Sequence, residues 1–127
     1  MFGISKRIEI SGSHDLDLDY DSPCTNIHGH NWIITVEVEG EGTDQHGMLI
    51  DFSTIKDLVK TLDHVHLNDI VPGNPTAENI ARFLCISLQE SINRTWADPR
   101  GFSMGQTPQV TKVSVQETEG NIAWYTP

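Results

Sequence analysis

Three of the six histidines in this 127-residue chain have the spacing of ligands for a transition metal. His28 and His30 stand at i, i+2 spacing, which places both imidazoles on one face if the segment forms a strand. His14 ends a preceding alternating segment, and pairing of the two segments would bring its ring alongside the other two. Three neutral imidazoles that leave one coordination position open are typical of catalytic zinc. The pattern therefore predicts a zinc site at His14, His28 and His30.

Other interpretations of these histidines remain open. Cys24 lies close enough in sequence to be a fourth ligand, which would make the site a closed, structural zinc site. Histidines at the edge of a loop can also be ordinary polar residues that bind no metal. A cupin fold shows a similar His-x-His pattern, but glutamate follows it where this chain has Ile34 and Thr35, so that fold is disfavoured.

Two further groups have the chemistry for proton transfer. In Asp63-His64, a carboxylate adjacent to an imidazole raises the basicity of the ring and can orient it, although a solvated histidine at a helix end is the alternative. Cys24 lies in a polar loop just before the histidine pair, where a nearby cation would favour ionisation and make the thiol a base or nucleophile. Cys85 lies among apolar residues of a predicted helix and is expected to be a core thiol.

Glu117 is an acid on an otherwise apolar strand face. It shares strand parity with Val113 and Val115, and a carboxylate on such a face costs free energy unless a partner compensates it. A carboxylate can accept two parallel N–H donors from a planar, guanidine-like edge of a ligand. The sequence leaves two interpretations open for Glu117: an anchor for such a ligand, or a strand-end side chain that reaches solvent.

Hydrophobic periodicity predicts the elements that position these residues. The predicted strands are residues 4–11, 30–39, 110–118 and 122–126, with residues 48–50 as a short returning strand and residues 13–29 as a loop. The predicted helices are residues 53–62 and a longer helix that begins after Pro75, with Thr76 as its N-cap. The order predicts an α+β fold for a single domain over residues 1–127, with a four-stranded antiparallel sheet and two helices on one face. Residues 95–108 are predicted to be irregular, and we assign them no function.

Composition limits the partners of the chain. With 18 acidic residues against 8 basic ones, the formal net charge is −10, and the basic residues are scattered. This argues against nucleic acid as the main partner, although a small anionic substrate is compatible. No apolar run reaches membrane-spanning length and the start lacks a signal-peptide core, so we expect a cytoplasmic protein with reduced cysteines and no membrane partner. The open edges of so small a sheet predict a homo-oligomer that joins sheets edge to edge.

Along nearly its whole length, the chain resembles the family of 6-pyruvoyltetrahydropterin and 6-carboxy-tetrahydropterin synthases. The motifs that carry the resemblance are specific in their combined order and spacing: Ser13-His14, Cys24-x-x-x-His28-Gly29-His30, Gly47-Met48-Leu49-Ile50-Asp51-Phe52, Leu62-Asp63-His64, Leu67-Asn68, Asn74-Pro75-Thr76-x-Glu78-Asn79 and Glu117-Thr118. The chain departs from the family at the first ligand, where Phe-x-Ala-x-His-Arg-Leu is common and Asp15 replaces the arginine.

The resemblance implies a tunnelling fold, in which subunits join their sheets into a barrel, commonly as a trimer-based hexamer. The site residues that it implies are His14, His28 and His30 as ligands of Zn2+, Cys24, Asp63 and His64 as the proton-transfer group, Glu117 as the anchor of the pterin ring, and Thr76 and Glu78 as pterin-pocket residues. The three-residue gap between Cys24 and His28 resembles the bacterial 6-carboxy branch, which makes a precursor of queuosine or related deazapurines.

The implied activity is that of a zinc-dependent lyase. It would convert 7,8-dihydroneopterin triphosphate to 6-carboxy-5,6,7,8-tetrahydropterin, with release of acetaldehyde and triphosphate. The alternative is the pyruvoyl branch, which usually has a longer gap at this point and eliminates triphosphate without carbon cleavage. A branch tied to folate has glutamate at the position of Cys24 and is disfavoured. A hypothesis of another class is a non-catalytic assembly module stabilised by a closed zinc site.

Overall fold

A five-stranded sheet forms the centre of the computed structural model, which describes residues 1–96 and 105–127. The strands are β1 (Phe2–His14), β2 (His28–Gly40), β3 (Val65–His66), β4 (Gln109–Thr118) and β5 (Asn121–Tyr125). Their order across the sheet is β3-β1-β2-β4-β5, with β3 parallel to β1 and all other neighbours antiparallel. The predicted α+β class is confirmed, but the described part of the sheet has five strands rather than four.

The two long strands extend further than their hydrophobic pattern predicts. β1 and β2 pair without interruption from Phe2 opposite Gly40 to His14 opposite His28. The last residues of β1 and the first of β2 are polar, so hydrophobic alternation gives no signal there, yet each segment supplies the backbone partners of the other. Both ends of the predicted 13–29 loop therefore belong to the sheet, and two of the histidines are placed directly opposite each other.

Both helices cover the same face of this sheet. The helices are α1 (Phe52–Lys60) and α2 (Ala77–Trp96), close to the predicted bounds. The predicted cap at Thr76 is confirmed, because its hydroxyl oxygen accepts a hydrogen bond from the Asn79 N–H at 3.2 Å. Side chains of both helices and of the inward face of the sheet form one buried cluster, whose largest members include Trp32, Ile10, Ile34, Ile55, Leu84 and Leu88. Cys85 is buried in it as predicted, and burial raises the pKa of this thiol.

The predicted strand at residues 48–50 is wrong. The Asp44 carboxylate accepts hydrogen bonds from the N–H groups of His46 at 2.8 Å and Met48 at 3.0 Å, which closes the chain into a turn. Gly47 has a φ of +81° in this turn, a conformation that favours glycine. Backbone donors that a strand would offer to a neighbour are thus bound by a local side chain.

The short strand β3 is absent from the prediction, because two residues carry no periodic signal and its partner comes from β1. Of the predicted irregular segment 95–108, residues 97–104 lie outside the described part of the chain. In the described ranges 1–96 and 105–127, no helix has the length and apolar character needed to span a membrane.

Candidate metal centre and active site

The three histidines converge because the β1–β2 register puts them on one face. His14 lies directly opposite His28, and His30 lies opposite Gly12, so all three side chains point toward the helix-covered face. The His14 and His28 Nε2 atoms are 2.9 Å apart. Ring centroids are 4.5 Å apart for His14 and His28, 5.2 Å for His14 and His30, and 4.9 Å for His28 and His30.

Backbone carbonyls fix the orientation of two of these rings. His14 Nδ1 donates to the Pro75 carbonyl at 2.8 Å, and His28 Nδ1 donates to the Asn26 carbonyl at 2.6 Å. Because a carbonyl oxygen can only accept, each Nδ1 carries the proton and each Nε2 presents a lone pair. Two lone pairs 2.9 Å apart are favourable only when a proton or a cation lies between them. The pair of Nε2 atoms therefore fits a bound metal ion.

The Glu117 carboxylate lies beside the three imidazoles. Its Oε1 atom lies 2.9 Å from His30 Nε2 and 3.8 Å from His14 Nε2, and one donor atom from each of the four residues lies within 4.8 Å of the others. His30 Nε2 is buried without an aligned hydrogen bond among the described residues, even though this oxygen is near. A buried nitrogen that lacks such a bond is a second indication that an ion belongs there. Three imidazoles with a nearby carboxylate form a set of donors that suits a divalent transition metal such as zinc.

Burial favours the neutral, metal-binding form of His30. His14 is only 1% exposed and packs edge-on against Trp32, whose indole N–H donates to the Gly12 carbonyl at 3.1 Å. Burial lowers the pKa of His30 below its ordinary value of 6.5, an effect that the nearby Glu117 carboxylate opposes. His30 is therefore neutral near pH 7, which is the form that binds a metal.

Cys24 lies near the candidate metal centre but is not one of its converging donors. The 3-10 turn Pro23–Thr25 carries it, and its carbonyl accepts from the Leu16 N–H at 2.8 Å, which holds the turn against the end of β1. Its sulfur is not among the converging donor atoms of the described chain. The structure therefore gives no support to a closed zinc site with Cys24 as the fourth ligand.

A cavity of about 410 Å³ brings together most of the sequence-predicted site residues. Its lining includes His14, Cys24, Thr76, Glu78 and Glu117. Thr76 and Glu78 come from the start of α2, so the cavity lies between the end of the sheet and this helix. The arrangement offers a thiol and two carboxylates around a ligand space beside the candidate metal, while the role of each residue stays a prediction.

Asp63 and His64 lie elsewhere in the chain. The Asp63 carboxylate accepts from the Ser11 N–H at 2.9 Å, which lowers the pKa of this carboxyl, and His64 Nε2 is 3.6 Å from its other oxygen. His64 is 81% exposed, has a φ of +57°, and lines an open cavity with Asn31 and His66, a cavity whose lining does not include Cys24. A single chain thus places Cys24 and His64 of the predicted proton-transfer group at two separate cavities.

Sequence reasoning did not predict that the Glu117 carboxylate lies next to the histidine cluster. Strand parity identified the residue, but its position depends on a bulge between Gln116 and Thr118 and on the pairing of β4 with β2. The carbonyls of Asn26 and Pro75 were missed as well, because backbone acceptors leave no signal in residue type.

Comparisons with known proteins agree on one family. The family model for 6-pyruvoyl tetrahydropterin synthase matches residues 3–127. A 6-carboxy-5,6,7,8-tetrahydropterin synthase of Haemophilus influenzae is 33% identical over an alignment that covers 80% of this chain and 96% of that protein. The enzyme of the same name from Bacillus subtilis is 27% identical over 99% of this chain and 86% of that protein.

Other relatives match over shorter stretches or through their fold. A putative 6-carboxy-5,6,7,8-tetrahydropterin synthase of Pyrococcus abyssi is 48% identical over 48% of this chain, and the chain spans only 41% of that protein's length. The structure of Caenorhabditis elegans 6-pyruvoyl tetrahydropterin synthase superposes with a TM-score of 0.71 at 23% identity, covering 99% of this chain and 95% of that one. At this identity the superposition shows the shared fold alone.

Proposed function

Because this chain belongs to the 6-pyruvoyl tetrahydropterin synthase family, we propose that it is a zinc-dependent lyase of the 6-carboxy-tetrahydropterin branch. It converts 7,8-dihydroneopterin triphosphate to 6-carboxy-5,6,7,8-tetrahydropterin and releases acetaldehyde and triphosphate, as a step toward queuosine or a related deazapurine. The convergence of three imidazoles beside a cavity that also contains Cys24 is the observation that carries the proposal. The names of the Haemophilus influenzae and Bacillus subtilis relatives support the carbon-cleaving branch.

In this proposal His14, His28 and His30 hold Zn2+. The bound ion supplies a Lewis acid that acidifies the C–H and O–H groups next to the oxygens of the substrate side chain. Neutral imidazoles oriented by backbone carbonyls are suited to this role, because their lone pairs already point to one place.

Glu117 anchors the pterin ring by accepting two N–H donors from the amino-pyrimidine edge. The distance of 2.9 Å between a Glu117 oxygen and His30 Nε2 supports this role, because the side chain of a pterin held there would lie near the metal. Thr76 and Glu78 line the same cavity and supply further polar contacts to the ring. Cys24 lines this cavity, and its thiol is the group that exchanges protons with the substrate side chain.

The proton-transfer group is completed by a second copy of the chain. Within one chain Cys24 and His64 line different cavities, so both can act on one substrate only if neighbouring subunits bring them together. The edge strand β5 exposes Ile122 at 54% and Trp124 at 61%, apolar side chains that edge-to-edge joining of sheets would cover. We therefore propose a homo-oligomer that closes sheets into a barrel, a trimer-based hexamer in the form that the family resemblance implies.

A product assay tests the activity. Zinc-loaded protein is incubated with 7,8-dihydroneopterin triphosphate, and acetaldehyde, triphosphate and the pterin products are measured. Acetaldehyde together with 6-carboxy-5,6,7,8-tetrahydropterin supports the proposal, whereas triphosphate without acetaldehyde identifies the pyruvoyl alternative. Retained zinc with no turnover, and loss of zinc in Cys24→Ala, would identify a non-catalytic assembly module.

Co-expression of two inactive variants tests the shared site. Cys24→Ala and His64→Ala chains with different tags are purified as mixed oligomers. If neighbouring subunits supply the two groups, random mixing leaves about a quarter of the sites complete, and the mixture regains about a quarter of wild-type turnover. Turnover that stays as low as in each variant alone would place both groups within one chain and refute the shared site.

A further inference from the structure

A single segment, residues 66–75, binds the chain on both sides of the candidate ligand His14. Asn68 Oδ1 accepts from the Asp15 N–H at 3.0 Å, and its Nδ2 donates to the Asp15 carbonyl at 2.8 Å. Asn74 does the same to the backbone of Asp17, at 2.8 and 2.9 Å. Each side-chain amide accepts from the N–H and donates to the carbonyl of one backbone residue, as the backbone of a neighbouring strand does. The two asparagines therefore satisfy the backbone of the chain just beyond the end of β1.

His66 adds a link through side chains. Its Nδ1 lies 2.9 Å from Ser13 Oγ, and its Nε2 lies 3.1 Å from Asp15 Oδ1. The contact with Ser13 is a hydrogen bond, and the contact with Asp15 is a close electrostatic one. The nearby Asp15 carboxylate favours the tautomer with its proton on Nε2, and Nδ1 then accepts from the Ser13 hydroxyl. His66 therefore holds the two residues that directly precede and follow His14.

The order Ser13, His66, Asp15 resembles the hydrogen-bond chain of a nucleophilic serine, but the surroundings do not suit that chemistry. Acyl transfer also requires free backbone N–H groups or similar donors near the serine to stabilise an oxyanion. Ser13 lies in a strand that pairs with Gly29 on one side and His66 on the other, so the backbone at this position is engaged in the sheet. The chain of hydrogen bonds fits a positioning role instead.

We propose that His66 is a positioning residue of the metal centre, an inference that rests on the proposed zinc site. Its ring contacts the side chains of the residues on both sides of His14, while the Pro75 carbonyl, from the same segment, fixes the ring of that ligand at 2.8 Å. Residues 66–75 hold both the ring of His14 and the residues on either side of it. The lone pair on His14 Nε2 is therefore already oriented before a metal ion binds. A ligand ordered in advance loses less conformational entropy on binding, which tightens the site.

The test measures zinc affinity by competition with a chelating dye on the intact protein. His66→Phe keeps a planar ring but removes the hydrogen bond to Ser13 and the polar contact with Asp15, and we expect its zinc dissociation constant to rise about tenfold. His66→Gln keeps an N–H donor for Asp15, and its constant should rise by less than about threefold. His46→Phe, the same change at an exposed turn remote from the donor set, should leave the constant unchanged.

The outcomes separate this inference from the proposed function. If the wild-type chain does not bind zinc, the proposed function fails as well. If wild type binds zinc and folded His66→Phe binds it equally well, the positioning role alone is refuted. Should His66→Phe not fold, Ser13→Ala removes the same hydrogen bond with little change in volume. An unchanged zinc affinity in that variant would then refute the inference, and weakening by about threefold would support it.

Discussion

Two regions of the β1–β2 pair, its centre and its end at His14, share one register and one face but carry different side chains. At the centre, Ile8 lies opposite Ile34 and Ile10 opposite Trp32, and these side chains are buried in the core. At the histidine end the pairing is the same, but His14 lies opposite His28, and backbone carbonyls hold the two rings. The same pair of strands therefore carries both a core and a candidate metal centre.

The comparison also separates stability from affinity. Aliphatic side chains at the centre of the pair are stabilised by leaving water, in proportion to the apolar area they bury. Imidazoles at the histidine end are costly to bury without partners, and their placement becomes favourable only with hydrogen bonds and an ion. Substitutions at the centre should therefore reduce the free energy of unfolding, and those at the histidine end should reduce metal affinity.

The largest effect is expected for His28→Ala. Removal of one of three imidazole ligands should weaken zinc binding on the order of a thousandfold and abolish turnover, because the remaining donors no longer enclose the ion. Zinc content after dialysis and competition with a chelator measure this loss. A variant that keeps full zinc affinity would exclude His28 as a ligand and contradict the proposed centre.

The matched change at the centre of the pair is Ile34→Ala. This side chain is fully buried, so truncation should lower the free energy of unfolding by about 2–5 kcal/mol through lost burial and the cavity left behind. Urea denaturation of the zinc-free protein measures the loss. Zinc affinity of the folded variant should change by less than about threefold, and a larger change would show that the two regions are coupled.

A smaller effect is expected for Glu117→Gln, which keeps the size of the side chain but removes its charge. As an anchor of the pterin ring, Glu117 contributes charge-assisted hydrogen bonds, and their loss should raise KM about tenfold. Zinc affinity should remain near that of wild type. If zinc binding weakens instead while KM is unchanged, Glu117 acts as a metal ligand and the ring anchor lies elsewhere.

The smallest effect concerns Asp63, which binds β1 between these two regions through the Ser11 N–H. That hydrogen bond lowers the pKa of the Asp63 carboxyl below its ordinary value of 3.8. A carboxyl with a depressed folded-state pKa stabilises the fold above pH 3.8, and this contribution is lost as the pH falls toward the folded-state pKa. Thermal melts of zinc-free protein across this acid range should therefore show a shallower decline for Asp63→Asn than for wild type. Identical slopes would show that Asp63 does not support the strand.

Local patterns in the sequence determined the parts of this protein that short-range geometry controls. Period-2 alternation located the long strands, and helical spacing with the Thr76 cap located α2. The i, i+2 spacing of His28 and His30 also determined that both rings share a face, because a strand turns each second side chain to the same side. The placement of Cys85 in the core followed from its apolar neighbours in the helix.

Only the tertiary structure decided which distant residues support the candidate site and which of its predicted residues lie apart. Ser11 binds Asp63 across 52 positions, and Ser13 binds His66 across 53, contacts that no local period encodes. Contacts between distant segments also decide three other features: the short strand β3, the support of His14 by residues 66–75, and the separation of Cys24 from His64. Residue type fixes which groups can accept or donate, but only long-range pairing of the backbone fixes which of them are within reach of one another.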